Sequence, residues 1–274
     1  MDPLHGLALF RIEEVLQGVG PTPIHYRIQV RQSIKYLRGP RPLSALPDQS
    51  GNKLGFQTVP DGDWNLGHIE ISPGNRFTLV STELMAFPDL MPSWHEVRID
   101  LADLSGQIET TLDSTGQRIL YPLQVGGHMP SWIFKTSKVT EKPVVALWNY
   151  DLEAKYSFAL ENESYIYSLL RGQTVAPTFL GHLTENNTRI VGYVLESVDA
   201  RKANSADIEA CREALQQLHD LGIVHGNIDR DCFLISQEDS RAQLQYFFDA
   251  AKTSDQAVKD AEMLKLEEVF RESS

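Results

Sequence analysis

The sequence predicts an α+β protein in which a β-rich N-terminal module precedes a segment of mixed strands and helices. Two observations support this class. Clusters of Gly, Pro, Asp and Asn interrupt the first third of the chain and leave only strand-length runs between them. From Trp94 onward, short apolar runs alternate with three longer stretches that have the spacing of amphipathic helices.

The bulk composition is that of an ordinary globular protein. Of the 274 residues, 42% are hydrophobic and 23% are charged, which is enough to bury one large core or two modest ones. No apolar run reaches the roughly 18 residues of a membrane span, and the first residues lack the basic start of a signal peptide. We therefore expect a cytoplasmic protein that does not bind membranes, with Cys211 and Cys232 as free thiols.

The net charge of −12 argues against a nucleic-acid partner, because an acidic chain repels phosphates unless it gathers a local basic patch. The most basic segment lies near the N-terminus, where charged residues alternate with apolar ones. This alternation predicts a strand with one solvated basic face, and no nucleic-acid site. The basic residues of the segment are Arg27, Arg31, Lys35, Arg38 and Arg41.

Short strand-like runs lie between the turns of the first third of the chain. The clearest are Tyr26–Val30, His68–Ile71 and Arg76–Ser81. They lead to the loop Phe87–Pro92, after which the character of the sequence changes. We therefore assign residues 1–92 to the β-rich N-terminal module.

Beyond this boundary, pairs of strands flank a helix. Trp132–Lys135 and Val144–Trp148 predict two strands joined by a polar turn. A helix follows over about Phe158–Arg171, and a hairpin consists of Thr178–Leu183 and Arg189–Leu195. The predicted order is therefore β-β-α-β-β.

Two more helices complete the chain, one over about Ser205–Leu221 and one after Ser254. The apolar spacing of each of the three helices predicts which residues face a core. These are Tyr165, Ile166, Leu169 and Leu170 in the first helix, Ile208, Cys211, Leu215 and Leu218 in the second, and Val258, Ala261, Leu264 and Val269 in the third.

One long stretch, Leu215–Ile235, contains the pattern L-x-x-L-H-x-x-G-I-x-H-G followed by a loop and an apolar strand. It resembles the end of a protein-kinase helix that leads into the catalytic loop. Val175–His182 and Ile190–Glu196 resemble the fourth and fifth kinase strands. Trp94–Asp100 is similar to a segment that precedes the kinase-like part in small degenerate kinase-like (pseudokinase) proteins of filamentous fungi. That family is often loosely labelled alpha-galactosidase A precursor, although this sequence has no glycosidase pattern.

The resemblance implies a protein-kinase-like fold with a truncated large lobe. The small lobe would comprise residues 93–198 and the large lobe residues 199–274. Only 28 residues follow Tyr246. They leave no room for an activation segment and for the helices that hold a protein substrate in a kinase, so recognition would fall to the module, the small lobe or the former cleft.

The same resemblance locates the charged and polar groups that phosphoryl transfer needs, and four of them are replaced. Asn227 stands at the catalytic aspartate, and Cys232 stands at the metal-binding asparagine of the loop. Tyr246 stands at the aspartate of Asp-Phe-Gly, and Leu147 stands at the lysine that pairs the phosphates. The helix glutamate that partners this lysine survives as Glu163. We expect no ordinary kinase activity, since loss of a general base alone costs about 10²–10⁴ in rate.

Several residues have two interpretations. His225 is either catalytic or a packed structural residue, and Asp229 is either a displaced base or a loop carboxylate. Asp249 could restore metal binding if the alignment slips, and Cys232 is either a nucleophile or core filler. We expect no cofactor and no metal. Four other histidines are scattered along the sequence without the spacing of zinc ligands. They are His68, His95, His128 and His182.

Three hypotheses for function follow. The first is a catalytically impaired kinase-fold protein that binds a protein partner or a small hydrophobic ligand. The second is a repurposed, non-phosphorylating enzyme of fungal secondary metabolism, which would hold a hydrophobic metabolite in the former nucleotide cleft made apolar by Leu147, Tyr246 and Phe247. The third is a weak atypical phosphotransferase that uses Asp229 and Asp249.

Overall fold

A computed structural model describes residues 6–16, 23–40, 54, 56–73, 76–110, 132–153 and 157–271. The chain divides into two compact units, Met1–Phe87 and Pro88–Ser274. Both units contain β-sheet, and the three α-helices of the described residues all lie in the second unit. The α+β class is therefore confirmed.

The first unit contains a six-stranded sheet in the order β4-β1-β2-β3-β5-β6. β3 and β5 are parallel, and the other neighbours are antiparallel. The three strands predicted in this region are confirmed as β2, β5 and β6. The strands are β1 Leu7–Leu16, β2 Ile24–Val30, β3 Ser33–Gly39, β4 Thr58–Pro60, β5 Leu66–Ser72 and β6 Arg76–Glu83.

The predicted solvated basic face is wrong for Arg27 and Lys35, which are both buried. The basic segment is a hairpin and not one strand, and its register pairs Ile28 with Lys35. Lys35 consequently lies on the core side, where its ammonium group donates to the carbonyl of Gly62 (2.5 Å) and lies 4.3 Å from the ring centroid of Trp64. Burial lowers the pKa of Lys35. The last basic residue predicted for this face, Arg41, lies outside the described residues.

The second unit contains a six-stranded sheet in the order β7-β11-β12-β10-β9-β8. β7 is parallel to β11, and the other neighbours are antiparallel. The predicted strand pair and hairpin are confirmed as β9, β10, β11 and β12. The strands are β7 Arg98–Asp100, β8 Ser105–Thr110, β9 Trp132–Lys135, β10 Val144–Trp148, β11 Phe179–Glu185 and β12 Arg189–Glu196.

Three helices pack with this sheet and with two smaller ones around the largest hydrophobic core. They are α1 Phe158–Leu169, α2 Ile208–Asp220 and α3 Gln256–Arg271. None of the helices in the described part of the chain is long and apolar enough to cross a membrane. Cys211 and Cys232 are buried free thiols, as predicted. The short strands are β13 Ala200–Lys202, β14 Ile223–Val224, β15 Phe233–Ser236, β16 Ala242–Leu244 and β17 Ala251–Lys252, which form the sheets β13-β15-β16 and β14-β17.

The predicted inward face of α1 is correct except at Tyr165. Ile166 and Leu170 are buried and Leu169 is partly buried, whereas 47% of Tyr165 is exposed. A residue at the margin of an apolar stripe can turn outward without disturbing the core. The inward face of α2 is confirmed, because its predicted residues are buried or partly buried.

The predicted inward face of α3 is wrong at three of its four residues, whereas Val269 is partly buried and packs on the core as predicted. Val258 and Leu264 are 44% and 63% exposed and Ala261 is also exposed, whereas Leu266 and Phe270 are almost completely buried. The buried stripe of α3 begins with charged residues that bind the backbone of neighbouring elements, as described below. Apolar spacing alone therefore selected the wrong side of this helix.

Two leucines of α3 provide a test of this face. Replacement of Leu266 by Ala should lower the free energy of unfolding by about 2–4 kcal/mol, because it leaves a cavity in a packed core. Replacement of Leu264 by Ala, two residues earlier on the solvent side, should change it by less than about 0.5 kcal/mol. Urea denaturation of both variants measures these values, and equal losses would contradict the orientation.

Candidate functional site

Glu163 of α1 lies at the centre of the second unit, and only 1% of its surface is exposed. Its Oε2 accepts a hydrogen bond from the hydroxyl of Tyr193 on β12. Its Oε1 accepts one from the backbone N–H of Phe247 (3.0 Å). Burial raises the pKa of Glu163 to about 7, although these hydrogen bonds act in the opposite direction.

Asn162, the preceding residue of α1, binds backbone carbonyl groups at and after Phe247. Its Nδ2 donates to the carbonyls of Phe247 (3.2 Å), Phe248 (2.9 Å) and Ala250 (2.9 Å). We call residues Tyr246 to Ala250 the 246–250 segment. Two consecutive residues of one helix therefore satisfy both backbone donors and backbone acceptors of this segment.

Leu147 on β10 is buried in the core beside this network, with 3% of its surface exposed. The register of β10 and β12 places it directly opposite Tyr193. The strands approach closely because the residue that precedes Tyr193 in β12 is Gly192, where a Cβ would collide with the carbonyl of Leu147. Leu147, which the sequence resemblance places at the kinase lysine, is therefore part of the apolar core.

A row of aromatic rings connects Glu163 and its partners to the predicted catalytic loop. The ring of His225 lies 5.4 Å from that of Phe247, which lies 5.5 Å from that of Tyr167 on α1. Tyr167 in turn contacts Tyr193 and Phe179, at 6.0 and 5.9 Å between ring centroids. These contacts join the loop, the helix and the sheet through one continuous aromatic core.

His225 is completely buried, and its contacts are those of a packed structural residue. Its Nε2 lies 2.8 Å from the carbonyl oxygen of Gln245, so this nitrogen carries the proton and donates it. Burial lowers the pKa of His225, although the hydrogen bond to Gln245 acts in the opposite direction. The ring is held neutral in the core and away from solvent.

Glu262 of α3 holds the backbone of the same loop. It accepts hydrogen bonds from the N–H groups of His225 (3.0 Å) and Gly226 (2.6 Å) and pairs with Nε2 of His219 (2.7 Å). Burial opposes ionisation of Glu262, but these hydrogen bonds outweigh it and lower its pKa. The adjacent turn of α3 adds the ammonium group of Lys259, which donates to the carbonyl of His219 (2.5 Å).

Gly226 is the one residue of this loop at which a glycine is needed. Its φ is +83°, and a Cβ at this position would collide with the backbone carbonyl of Asp249. The loop and the 246–250 segment therefore come into close contact.

The remaining loop residues mainly bind one another. Asp229 accepts a hydrogen bond from the N–H of Cys232 (3.1 Å) and thereby caps a short 3₁₀ turn. The thiol of Cys232 donates to the carbonyl of Asn227 (3.1 Å). Cys232 is buried, which raises its thiol pKa and opposes nucleophilic reactivity. The side chain of Asn227 is exposed.

Tyr246 stands out because it is a bulky residue in the left-handed region, with φ 67° and ψ 54°. Its ring stacks on that of Phe248, 6.1 Å away and tilted by 20°. Burial and then the charge of Glu163 raise the pKa of Tyr246 to about 12. Asp249 is exposed at the end of the segment.

The segment Trp94 to Asp100 is anchored on the same unit by His182. Nε2 of His182 accepts the backbone N–H groups of Trp94 (3.1 Å) and His95 (3.3 Å). The indole N–H of Trp94 donates to the hydroxyl of Ser164 on α1 (2.9 Å). Burial lowers the pKa of His182 to about 4, so it remains a neutral acceptor.

Magnesium and nucleotide phosphates, which the kinase resemblance implies, do not fit these residues. The position of the phosphate-binding lysine is the buried Leu147, and the position of the metal carboxylate is Tyr246. Cys232 is a soft ligand, and Mg²⁺ prefers oxygen. Among the described residues, no three His, Cys, Asp or Glu side chains are grouped as a metal site.

Sequence reasoning found Glu163 but missed the residues that bind around it and beneath the loop. Asn162 and Tyr193 carry no motif of their own, and Glu262 lies 37 residues after its partner His225. Partners so far apart along the chain leave no local signal.

Comparisons with known proteins leave the family of this chain open. No model of a known protein family matches the sequence, and no curated protein matches it either.

Glu262 should be important for stability. Replacement by Ala removes the acceptor of the His225 and Gly226 N–H groups and should lower the free energy of unfolding by about 2–4 kcal/mol at pH 7. Because the pKa of Glu262 is lowered in the folded protein, its contribution is present above its unfolded pKa and is lost as the pH falls through its folded pKa.

The matched control is Glu268→Ala, which removes an exposed acid of the same helix. It should change stability by less than about 0.5 kcal/mol. Denaturant unfolding at pH 7 and pH 3 measures both effects. A Glu262→Ala loss that is equal at the two pH values would contradict the assigned role of the carboxylate.

Proposed function

We propose that this chain is a catalytically impaired kinase-fold protein, a pseudokinase, that acts by binding a protein partner or a small hydrophobic ligand. One observation carries the proposal. Glu163, which would pair the phosphate-binding lysine in a kinase, is instead bound to Tyr193 and to the backbone of Phe247, and Leu147 takes the place of the lysine in the core. Glu163 therefore has a structural role in the second unit.

The order of elements supports a kinase-like fold for the second unit. Antiparallel β9, β10, β12 and β11 lie side by side, and α1 connects β10 to β11 along the chain. α2 then leads through β14 into the His225 loop. This order agrees with the small lobe, the first large-lobe helix and the catalytic loop that the sequence resemblance implies.

Electrostatics support binding without phosphoryl transfer. The candidate site contains the carboxyl groups of Asp229 and Asp249, with a neutral residue at each position where a kinase would bind phosphate or metal. Like charges near a protein surface repel by several kcal/mol at contact distance. A triphosphate without its metal and lysine would therefore bind poorly, and an uncharged ligand or a partner surface would not meet this repulsion.

A second candidate function is a repurposed enzyme that acts on a hydrophobic metabolite. The observation that favours it is the stacked, partly buried pair Tyr246 and Phe248 beside the loop. Aromatic faces suit an apolar or planar substrate. The third hypothesis, a phosphotransferase that uses Asp229 and Asp249, has less support because Asp229 caps the turn at Cys232.

The proposal predicts that Mg²⁺-ATP will not stabilise the protein. The melting temperature with millimolar Mg²⁺-ATP should equal that with Mg²⁺ alone, because a ligand stabilises only in proportion to its binding. No labelled γ-phosphate should transfer to an acceptor. A rise of several degrees that Asp249→Ala abolishes, and that the exposed control Asp255→Ala retains, would favour the phosphotransferase instead.

The kinase-like fold can be tested by restoring two charges. The double variant Leu147→Lys/Tyr246→Asp should gain Mg²⁺-dependent stabilisation by ATP of several degrees, since it returns a phosphate cation and a metal carboxylate. The neutral control Leu147→Met/Tyr246→Asn should gain none. If the double variant is folded by circular dichroism and still does not respond, the assignment of Leu147 and Tyr246 to the lysine and metal-aspartate positions is contradicted, whatever the wild-type protein binds.

A further inference from the structure

Two side chains of α1, Asn162 and Glu163, hold the 246–250 segment by hydrogen bonds to its backbone, and we call this contact the latch. Glu163 accepts a hydrogen bond from the backbone N–H of Phe247. Asn162 donates hydrogen bonds to the carbonyls of Phe247, Phe248 and Ala250. The segment contains one 3₁₀ turn, Phe247–Asp249, in which the N–H of Ala250 donates to the carbonyl of Phe247 (3.2 Å), and it belongs to no strand before β17 begins at Ala251. The hydrogen bonds that hold this turn to α1 come from the side chains of Glu163 and Asn162.

The acid of this latch, Glu163, is surrounded by neutral groups in the part of the chain that the structure describes. Within the described residues, no Lys, Arg or His forms an ion pair with Glu163. In the described ranges, the titratable groups that face it are three tyrosines: Tyr193 from β12, Tyr167 from α1 and Tyr246 from the segment itself. The buried hydroxyl of Tyr167 has no hydrogen-bond partner among the described residues. Closing the latch therefore transfers Glu163 from water into a neutral surrounding.

We propose that Glu163 is a proton-coupled latch, such that release of the 246–250 segment from α1 is accompanied by loss of a proton from Glu163. The segment then opens more readily as the pH rises. The proposal rests on the geometry of α1 and the segment, and it stands whether or not the second unit is a pseudokinase.

The direction of the pH dependence follows from the burial of Glu163. Burial raises the pKa of Glu163 to about 7 in the closed state, whereas a solvated glutamate has its ordinary value of 4.5. The closed state consequently binds the proton more tightly than the open state. Closure is strongest below pH 4.5, weakens as the pH rises from 4.5 to 7, and is constant above 7. The largest change in the opening equilibrium over that range is a few hundred-fold.

Neighbouring groups do not reproduce this behaviour. Burial raises the pKa of Tyr167 and Tyr193 far above neutrality, and that of Tyr246 to about 12, so the tyrosines stay neutral over this range. His225 packs on the ring of Phe247 and has a lowered pKa, also through burial. Protonation of His225 would loosen the core in acid, which is the opposite direction. Asp249 and Asp229 lie on the loop side of the segment, where Asp249 is exposed.

The latch matters because of the residue that it positions. The segment carries Tyr246, whose left-handed backbone costs on the order of 1–3 kcal/mol and must be held by its surroundings. Tyr246 and Phe248 provide the aromatic surface of the candidate site. Opening of the segment would move this surface, so the protonation of one buried acid would control access to the site.

Amide hydrogen exchange on the full chain tests the proposal. In the wild-type protein, the opening constant of the Phe247 amide, after correction for its intrinsic exchange rate, should increase at least about tenfold between pH 5.5 and 7.5. Glu163→Gln should show little pH dependence because it keeps the shape and removes the titration. Glu161→Gln, an exposed position of the same helix, should behave as wild type.

Two further measurements separate the latch from a merely structural contact. Asn162→Ala should raise the opening constant by a similar factor at every pH and leave the slope unchanged. The ¹³C carboxyl resonance of Glu163 in the unmodified protein should titrate near pH 7, a result that does not depend on any variant folding. The proposal is overturned if Glu163→Gln retains the wild-type pH dependence, or if the carboxyl titrates below pH 5.

Discussion

A buried carboxyl group, which pairs with no cation among the residues that the structure describes, constrains the centre of the second unit. Glu163 is almost inaccessible to water, so its oxygens need donors from the protein itself. Those donors are the hydroxyl of Tyr193 on β12 and the backbone N–H of Phe247. Moving any one of these elements would leave a buried polar group unsatisfied, at a cost of about 1–3 kcal/mol. The positions of α1, β12 and the 246–250 segment are therefore determined together.

Glu262 has the same role for the loop that follows α2. It binds two consecutive backbone N–H groups and a buried histidine, and so holds α3 against the loop. The two acids at the centre of the candidate site thus hold backbone in place. An oxygen that accepts internal hydrogen bonds is a poor ligand for an incoming cation. This is the physical basis for proposing that the unit binds a partner or ligand and does not transfer phosphate.

The corrections to the sequence predictions share one cause. Lys35 was expected on a solvated face, but a two-residue turn after Val30 pairs it with Ile28 on the core side. Leu264 was expected to face the core, but the polar contacts of Glu262 select the other side of α3. Periodicity indicates that an element has two faces. Which face is buried depends on the neighbours that the element meets, and these lie far away in the sequence.

The sequence by itself determined the α+β class, the strands β9 to β12 and all three helices, because short-range spacing, caps and glycine stops act within a few residues. The sequence resemblance also predicts that Leu147, Asn227, Cys232 and Tyr246 replace polar groups that a kinase site needs. Only the tertiary structure decided what Glu163 binds in the absence of a lysine. Its partners come from β12 and from a segment more than 80 residues away, and a buried group takes its pKa and its role from whatever surrounds it in space.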